Sequence, residues 1–223
     1  MSEKEMQIQL YLPSPKKLFT PLVTAVIILI IIGYALVNHL PDFTIRNLAL
    51  NRFTFFPFRF WQLVTYSFIN GCPWNMVFDG IVILFIGSSI EREWGTRSLL
   101  WLWLVVCIVC GLVWLLVNFI GGLGYIGLGS GACAYGLIAS FGLLFRRRKF
   151  LTVLWTIEAQ YLALLLIGIG LVIGIANPIS WIWVGGALVA YLYVKFLWSG
   201  RGTRIKRTKS QAQGRPSGFV DID

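Results

Sequence analysis

Six long apolar runs fix the solvent in which this chain folds. They lie at about 19–37, 74–90, 98–120, 130–145, 159–176 and 178–198. Five carry no charge apart from Lys195 near the end of the last, and the remaining run carries Asp79. A helical span needs roughly 20 apolar residues to cross about 30 Å of hydrocarbon. With 57% hydrophobic and 13% charged residues, the chain has too little polar surface to cover these segments in water. Backbone groups in lipid must be paired within their own segment, so the runs are expected to be helices. The expected fold is an all-α, multi-pass integral membrane protein with six transmembrane helices. The run 130–145 is short for a span and is expected to lie buried among the others. No signal peptide is expected, because the first apolar run starts late and is too long for one.

Charge sets the expected orientation. With the N-terminus inside, 16 of the 19 Lys+Arg fall on the cytoplasmic side, and only Arg46, Arg52 and Arg59 fall outside. That asymmetry predicts cytoplasmic N- and C-termini. The net charge of +10 is then mainly a topology signal, not a sign of nucleic-acid binding. The basic stretch from Arg201 to Lys209 suits anionic lipid headgroups as partners. In a bacterium the membrane would be the plasma or inner membrane. Residues 1–17 read as a cytoplasmic amphipathic lead-in, 18–198 as a single membrane domain, and 199–223 as a basic, disordered cytoplasmic tail. Between the first two spans, a loop over about 38–73 gathers Phe53, Phe55, Phe56, Phe58, Phe60 and Trp61 around Pro57. So aromatic a segment is expected to lie partly in the outer leaflet.

Neither a metal nor a cofactor is expected. The four cysteines form no disulfide framework, and Cys107 and Cys110 read as small packing residues between helices. His39 is the sole histidine, next to Leu40-Pro41, and reads as an interfacial structural residue.

The segment Gly129-Ser130-Gly131-Ala132-Cys133-Ala134-Tyr135-Gly136-Leu137 resembles the nucleophile-bearing segment of the rhomboid intramembrane serine proteases, whose pattern reads G-x-S-G-A-x-[FY]-G-L. Phe78 to Gly95, with Glu91-x-x-x-Gly95, resembles the family's second span and its exit. Ile157 to Leu164 looks like the approach to its fifth span, and Trp183 to Ala190 looks like its sixth. The likeness covers most of residues 19–198 and implies a rhomboid-like six-helix bundle. Rhomboids use a Ser–His pair on the fourth and sixth spans and a His-x-x-x-Asn pair on the second to hold the oxyanion.

Carried onto this chain, the resemblance implies altered chemistry. In the gapless register the nucleophile position is Gly131. A register slipped by one residue makes Ser130 the nucleophile instead. The base position is Trp183, two residues before Gly185-Gly186, and indole is a donor that cannot accept serine's proton. The oxyanion pair becomes Asn75 and Asp79, and an earlier family histidine falls at about Asn70. Asp79, expected near the external end of its helix with Asn75 or backbone as partner, is also weighed as a base for Ser130. Trp61-Gln62 replaces the family's Trp-Arg, which weakens a local bonding role there. Ala132, Gly136 and Ser140 recur every four residues, as do Gly186 and Ala190, an arrangement that suits close helix approach.

Two functions follow. The first is a proteolytically inactive rhomboid-like protein that binds transmembrane segments of client proteins. The alternative is a divergent rhomboid intramembrane serine endopeptidase using Ser130 with an unorthodox base. The missing base histidine favours the first, and fold alone does not decide chemistry.

Overall fold

The computed structural model describes residues 19–51, 53, 59–122, 124–145, 149–151, 156–176 and 181–198. The lead-in 1–17, the tail 199–223 and the centre of the aromatic loop, including Phe55, Phe56, Pro57 and Phe58, lie outside the described residues.

The architecture is helical, and each main helix coincides with an apolar run. Helix α1 spans Pro21–His39, with the short α2, Pro41–Asn47, and α3, Gln62–Thr65, after it. A 3-10 turn over Tyr66–Phe68 leads to α4, Pro73–Trp94, a continuous helix whose middle relaxes into a π-turn at Ile83–Gly87. Helix α5 runs Thr96–Ile120, α6 Gly131–Leu144, α7 Ala159–Ala176 and α8 Trp181–Leu192, the last prolonged by a π-turn over Tyr193–Trp198. Prolines open α1, α2 and α4, where the missing N–H would have had no intrahelical partner. Among the described residues, three helices, α1, α4 and α5, are long and apolar enough to cross a bilayer, and α6, α7 and α8 contribute shorter apolar stretches. These mark a multi-pass integral membrane protein.

Two local findings differ from the sequence expectation. The loop 38–73 is not irregular throughout, since it holds α2, α3 and the 3-10 turn. The fold also carries one short antiparallel pair, Lys149–Leu151 with Thr156–Glu158, just before α7.

Helix α6 is the centre of the bundle. Every residue from Gly131 to Gly142 is buried. Its 14 residues cover only about 21 Å at 1.5 Å per residue, so neighbouring helices must cover it along its length. Backbones approach closely where side chains are smallest. A Cβ on Gly186 of α8 would collide with the Ala132 carbonyl of α6, and one on Gly136 would meet Ala190 Cβ and the Gly186 carbonyl at 3.3 Å. Leu137 and Phe141 of α6 share the main core with Ile83 of α4 and Val106 of α5, the last of which would stand 3.3 Å from a Cβ on Gly136.

Glu91, near the end of α4, ties three helices together. Its carboxylate accepts the N–H groups of Leu22 and Val23, both at 3.1 Å, and the hydroxyls of Thr20 at 2.5 Å and Thr96 at 2.7 Å. It therefore caps α1 in trans, supplying acceptors to donors that a helix start leaves orphaned, and negative charge where the macrodipole favours it. Gly95 then reverses the chain into α5 at φ 85°, a left-handed conformation natural to glycine.

Candidate functional site

The segment before α6 is held by backbone bonds to the loop after α2. Leu50 and Gly127 exchange both their hydrogen bonds, at 3.0 and 2.8 Å, and Gly129 N–H donates to the Tyr66 carbonyl at 3.1 Å. Gly129 sits at φ 115°, a conformation closed to most side chains, and directs the chain so that Ser130 precedes α6 directly beside Asn70. A Cβ on Gly129 would stand 3.1 Å from Asn70 Oδ1.

Three buried polar side chains meet here. Asn70 Nδ2 donates to Ser130 Oγ at 3.0 Å, and Ser130 Oγ donates to Asp79 Oδ2 at 2.6 Å. Ser130 N–H donates back to Asn70 Oδ1 at 3.3 Å, which fixes the orientation of that amide. The donors thus run in one direction, from amide to hydroxyl to carboxylate, and end on an acceptor. Such a chain is stable in a dry interior because each group is satisfied by the next. Ser130 is fully buried at 0% exposure and Asp79 is 4% exposed.

The sequence expectation paired Asp79 with Asn75 or with backbone. The described partner is Ser130, and Asn75 lies exposed one turn earlier on α4. The physical reason is the turn at Gly129, which brings the Ser130 hydroxyl against α4, and no sequence pattern encodes that long-range approach.

One residue further on, the contact changes partner. A Cβ built on Gly131 would lie 2.6 Å from Trp183 Nε1, so the indole fills the space in front of Gly131. Trp183 stacks on Tyr135, with centroids 6.0 Å apart at 24°, and Tyr135 is tilted against Phe78 at 6.5 Å. Gly170 of α7 gives Tyr135 its place, since a Cβ there would collide with the phenol ring. Gly131 therefore faces α8 while Ser130 faces α4, and the two candidate nucleophile positions look into different surroundings.

A cavity of about 310 Å³ lies between these groups, lined by Asn75, Phe78, Asp79, Tyr135, Ile169 and Trp183 among others. Among its lining residues, Phe78 of α4 and Ile169 of α7 are 40% and 46% exposed. Ser130 does not line it. His39 is the last residue of α1 and is exposed.

The family described as eukaryotic integral membrane protein (DUF1751) matches residues 21–212. The chain belongs to this family. It is also similar to the rhomboid protease GlpG of Haemophilus influenzae, 25% identical over 148 residues, which cover 66% of this chain and 72% of that protein. The family member described here is thus rhomboid-like, as the motifs around Glu91, Gly131 and Gly185 imply.

Two local features were invisible to residue patterns. Trp61-Gln62 does bond locally, against the expectation. Gln62 Nε2 donates to the Arg46 carbonyl at 3.1 Å, Trp61 Nε1 donates to the Asn47 carbonyl at 2.9 Å, and Arg59 Nη1 reaches both the Arg46 carbonyl and Asn47 Oδ1. Cys107 packs its sulfur 3.2 Å from Cys133 of α6, so its close sulfur neighbour is on another helix and not at Cys110.

Proposed function

We propose that this is a proteolytically inactive, rhomboid-like protein of six membrane spans that binds transmembrane segments of client proteins. The observation that carries the reading is the Gly131–Trp183 contact. At the place where the rhomboid likeness would put a hydroxyl and its base, this chain has an absent side chain against a donor-only ring. Phe78 and Ile169, exposed and lining the cavity, support a lateral route for a client helix between α4 and α7. The shorter helices beside it suit local thinning of the bilayer. The distribution of Lys and Arg supports termini on the cytoplasmic side, with 18–198 as the membrane domain between polar flanks 1–17 and 199–223.

The second reading, a divergent serine endopeptidase, draws on one observation, the 2.6 Å hydrogen bond from Ser130 to Asp79. A nucleophile needs a base within such reach. It must also meet its substrate, and Ser130 is wholly buried outside the cavity. A carboxylate beside an incoming oxyanion repels the charge that catalysis has to stabilise.

An activity-directed fluorophosphonate applied to the purified protein in detergent separates the two. The proposal expects no labelling. Stoichiometric labelling that disappears in Ser130→Ala overturns it. Client binding is tested with a photoreactive residue at Ile169, which should crosslink a membrane-spanning peptide, whereas one at the equally exposed Leu112 of α5 should not.

A further inference from the structure

Asp79 is an ionisable side chain inside an apolar helix, and in a membrane such a residue calls for a functional explanation. It lies six residues after Pro73, about 9 Å along the helix at 1.5 Å per residue. Its Oδ2 is taken by Ser130. Among the described residues, no other hydrogen bond and no ion pair reaches this carboxylate, so Oδ1 is left for the cavity that Asp79 lines. Both side-chain donors, Asn70 Nδ2 and Ser130 Oγ, run toward the carboxylate, the arrangement that supports an acceptor. Three aromatic rings, Phe78, Tyr135 and Trp183, line the same cavity. Rings beside a carboxylate are the chemistry that recognises an organic cation, through the ring faces and the opposite charge together.

We infer that the Asp79 cavity selects client transmembrane segments carrying a basic residue, lysine above all, within the span. The inference rests on the client-binding reading and specifies which clients that reading takes. A lysine in a span is costly in hydrocarbon, and a client that carries one gains by placing it here. Its four-carbon stem suits the faces of Tyr135 and Trp183, and its ammonium reaches Asp79 Oδ1. The cavity of about 310 Å³ has room for that side chain. Lateral access between Phe78 and Ile169 fits a side chain extended from a neighbouring helix. The depth of Asp79 along α4 favours a residue within a span over a lipid headgroup held at the interface.

The test uses the full-length protein in nanodiscs and a fluorescent leucine–alanine transmembrane peptide with one guest position, about 9 Å inside its end. Affinity is read by energy transfer for guests Lys, Leu, Gln and Glu. The Lys peptide should bind about tenfold tighter than the Leu peptide, a difference of about 1.4 kcal/mol, and the Glu peptide weakest. Asp79→Asn, which keeps an acceptor for Ser130, should remove the Lys preference. Phe78→Leu, in the exposed part of the lining, should weaken the Lys peptide about threefold and leave the Leu peptide unchanged. Equal binding of all four guests overturns the inference and leaves the client reading standing. Failure of every peptide to bind overturns both. A Lys preference that survives in both variants, or saturable binding of a short-chain phosphocholine lipid that Asp79→Asn abolishes while the peptides show no Lys preference, also overturns it.

Discussion

The indole of Trp183 stands where the first side-chain atom of residue 131 would be, 2.6 Å from a Cβ built on Gly131. The two positions are complementary, and neither can change alone. Gly131→Ser forces the ring aside, and overpacking of this kind costs about 1–3 kcal/mol. Trp183→His alone opens a hole next to Tyr135. The double substitution should be more stable than the sum of the singles predicts, by about 1 kcal/mol. Thermal unfolding of the four proteins in one detergent reads the coupling, and strict additivity would count against the contact.

Ser130 and Asp79 should show a matching dependence. Ser130→Ala removes the donor to a buried carboxylate and should lower stability by about 1–3 kcal/mol. Asp79→Asn retains a side-chain oxygen for the Ser130 hydroxyl and should cost less than Asp79→Ala. If Asp79→Ala proves the milder of the two, the hydrogen bond at 2.6 Å is not the interaction that matters there.

Glu91 accepts four hydrogen bonds from residues at the starts of two other helices, Thr20, Leu22 and Val23 at α1 and Thr96 at α5. Glu91→Ala should be among the most damaging single substitutions, lowering stability by roughly 3 kcal/mol, since bonds to a charged acceptor are worth about 1.5–3 kcal/mol each and neighbours relax only in part. Glu91→Gln retains an acceptor and should recover part of the loss. Protease resistance of the start of α1 provides an independent reading, because uncapping frees that end first.

The contact between α6 and α8 depends on the lack of one methyl group. Gly186→Ala pushes the Ala132 backbone away and should cost at least about 2 kcal/mol. Gly168→Ala on α7 is the control, because a Cβ there meets nothing within 4 Å and should change stability by no more than about 0.5 kcal/mol. Equal effects at the two glycines would contradict the packing described.

Much of the architecture was legible because membrane helices announce themselves through local composition. Pro21–His39, Pro73–Trp94 and Thr96–Ile120 each match an apolar run to within a few residues, the second despite Asp79. The burial of Gly131–Gly142 followed from the shortness of the run 130–145. The short helices within 38–73 and the strand pair at 149–158 did not, since their boundaries depend on partners distant in sequence.

The candidate site divides along the same line. Residue identity alone established that Trp183 cannot act as a base, that Gly131 has no side chain, and that an aspartate sits in an apolar helix. Only the tertiary structure decided that Ser130 turns to Asp79 and Asn70 while Gly131 turns to Trp183. The cause is the reversal at Gly129, held by backbone bonds to Tyr66 and, through Gly127, to Leu50. Sequence counts what a helix must bury, whereas the direction of a hydroxyl depends on which distant backbone the chain closes against.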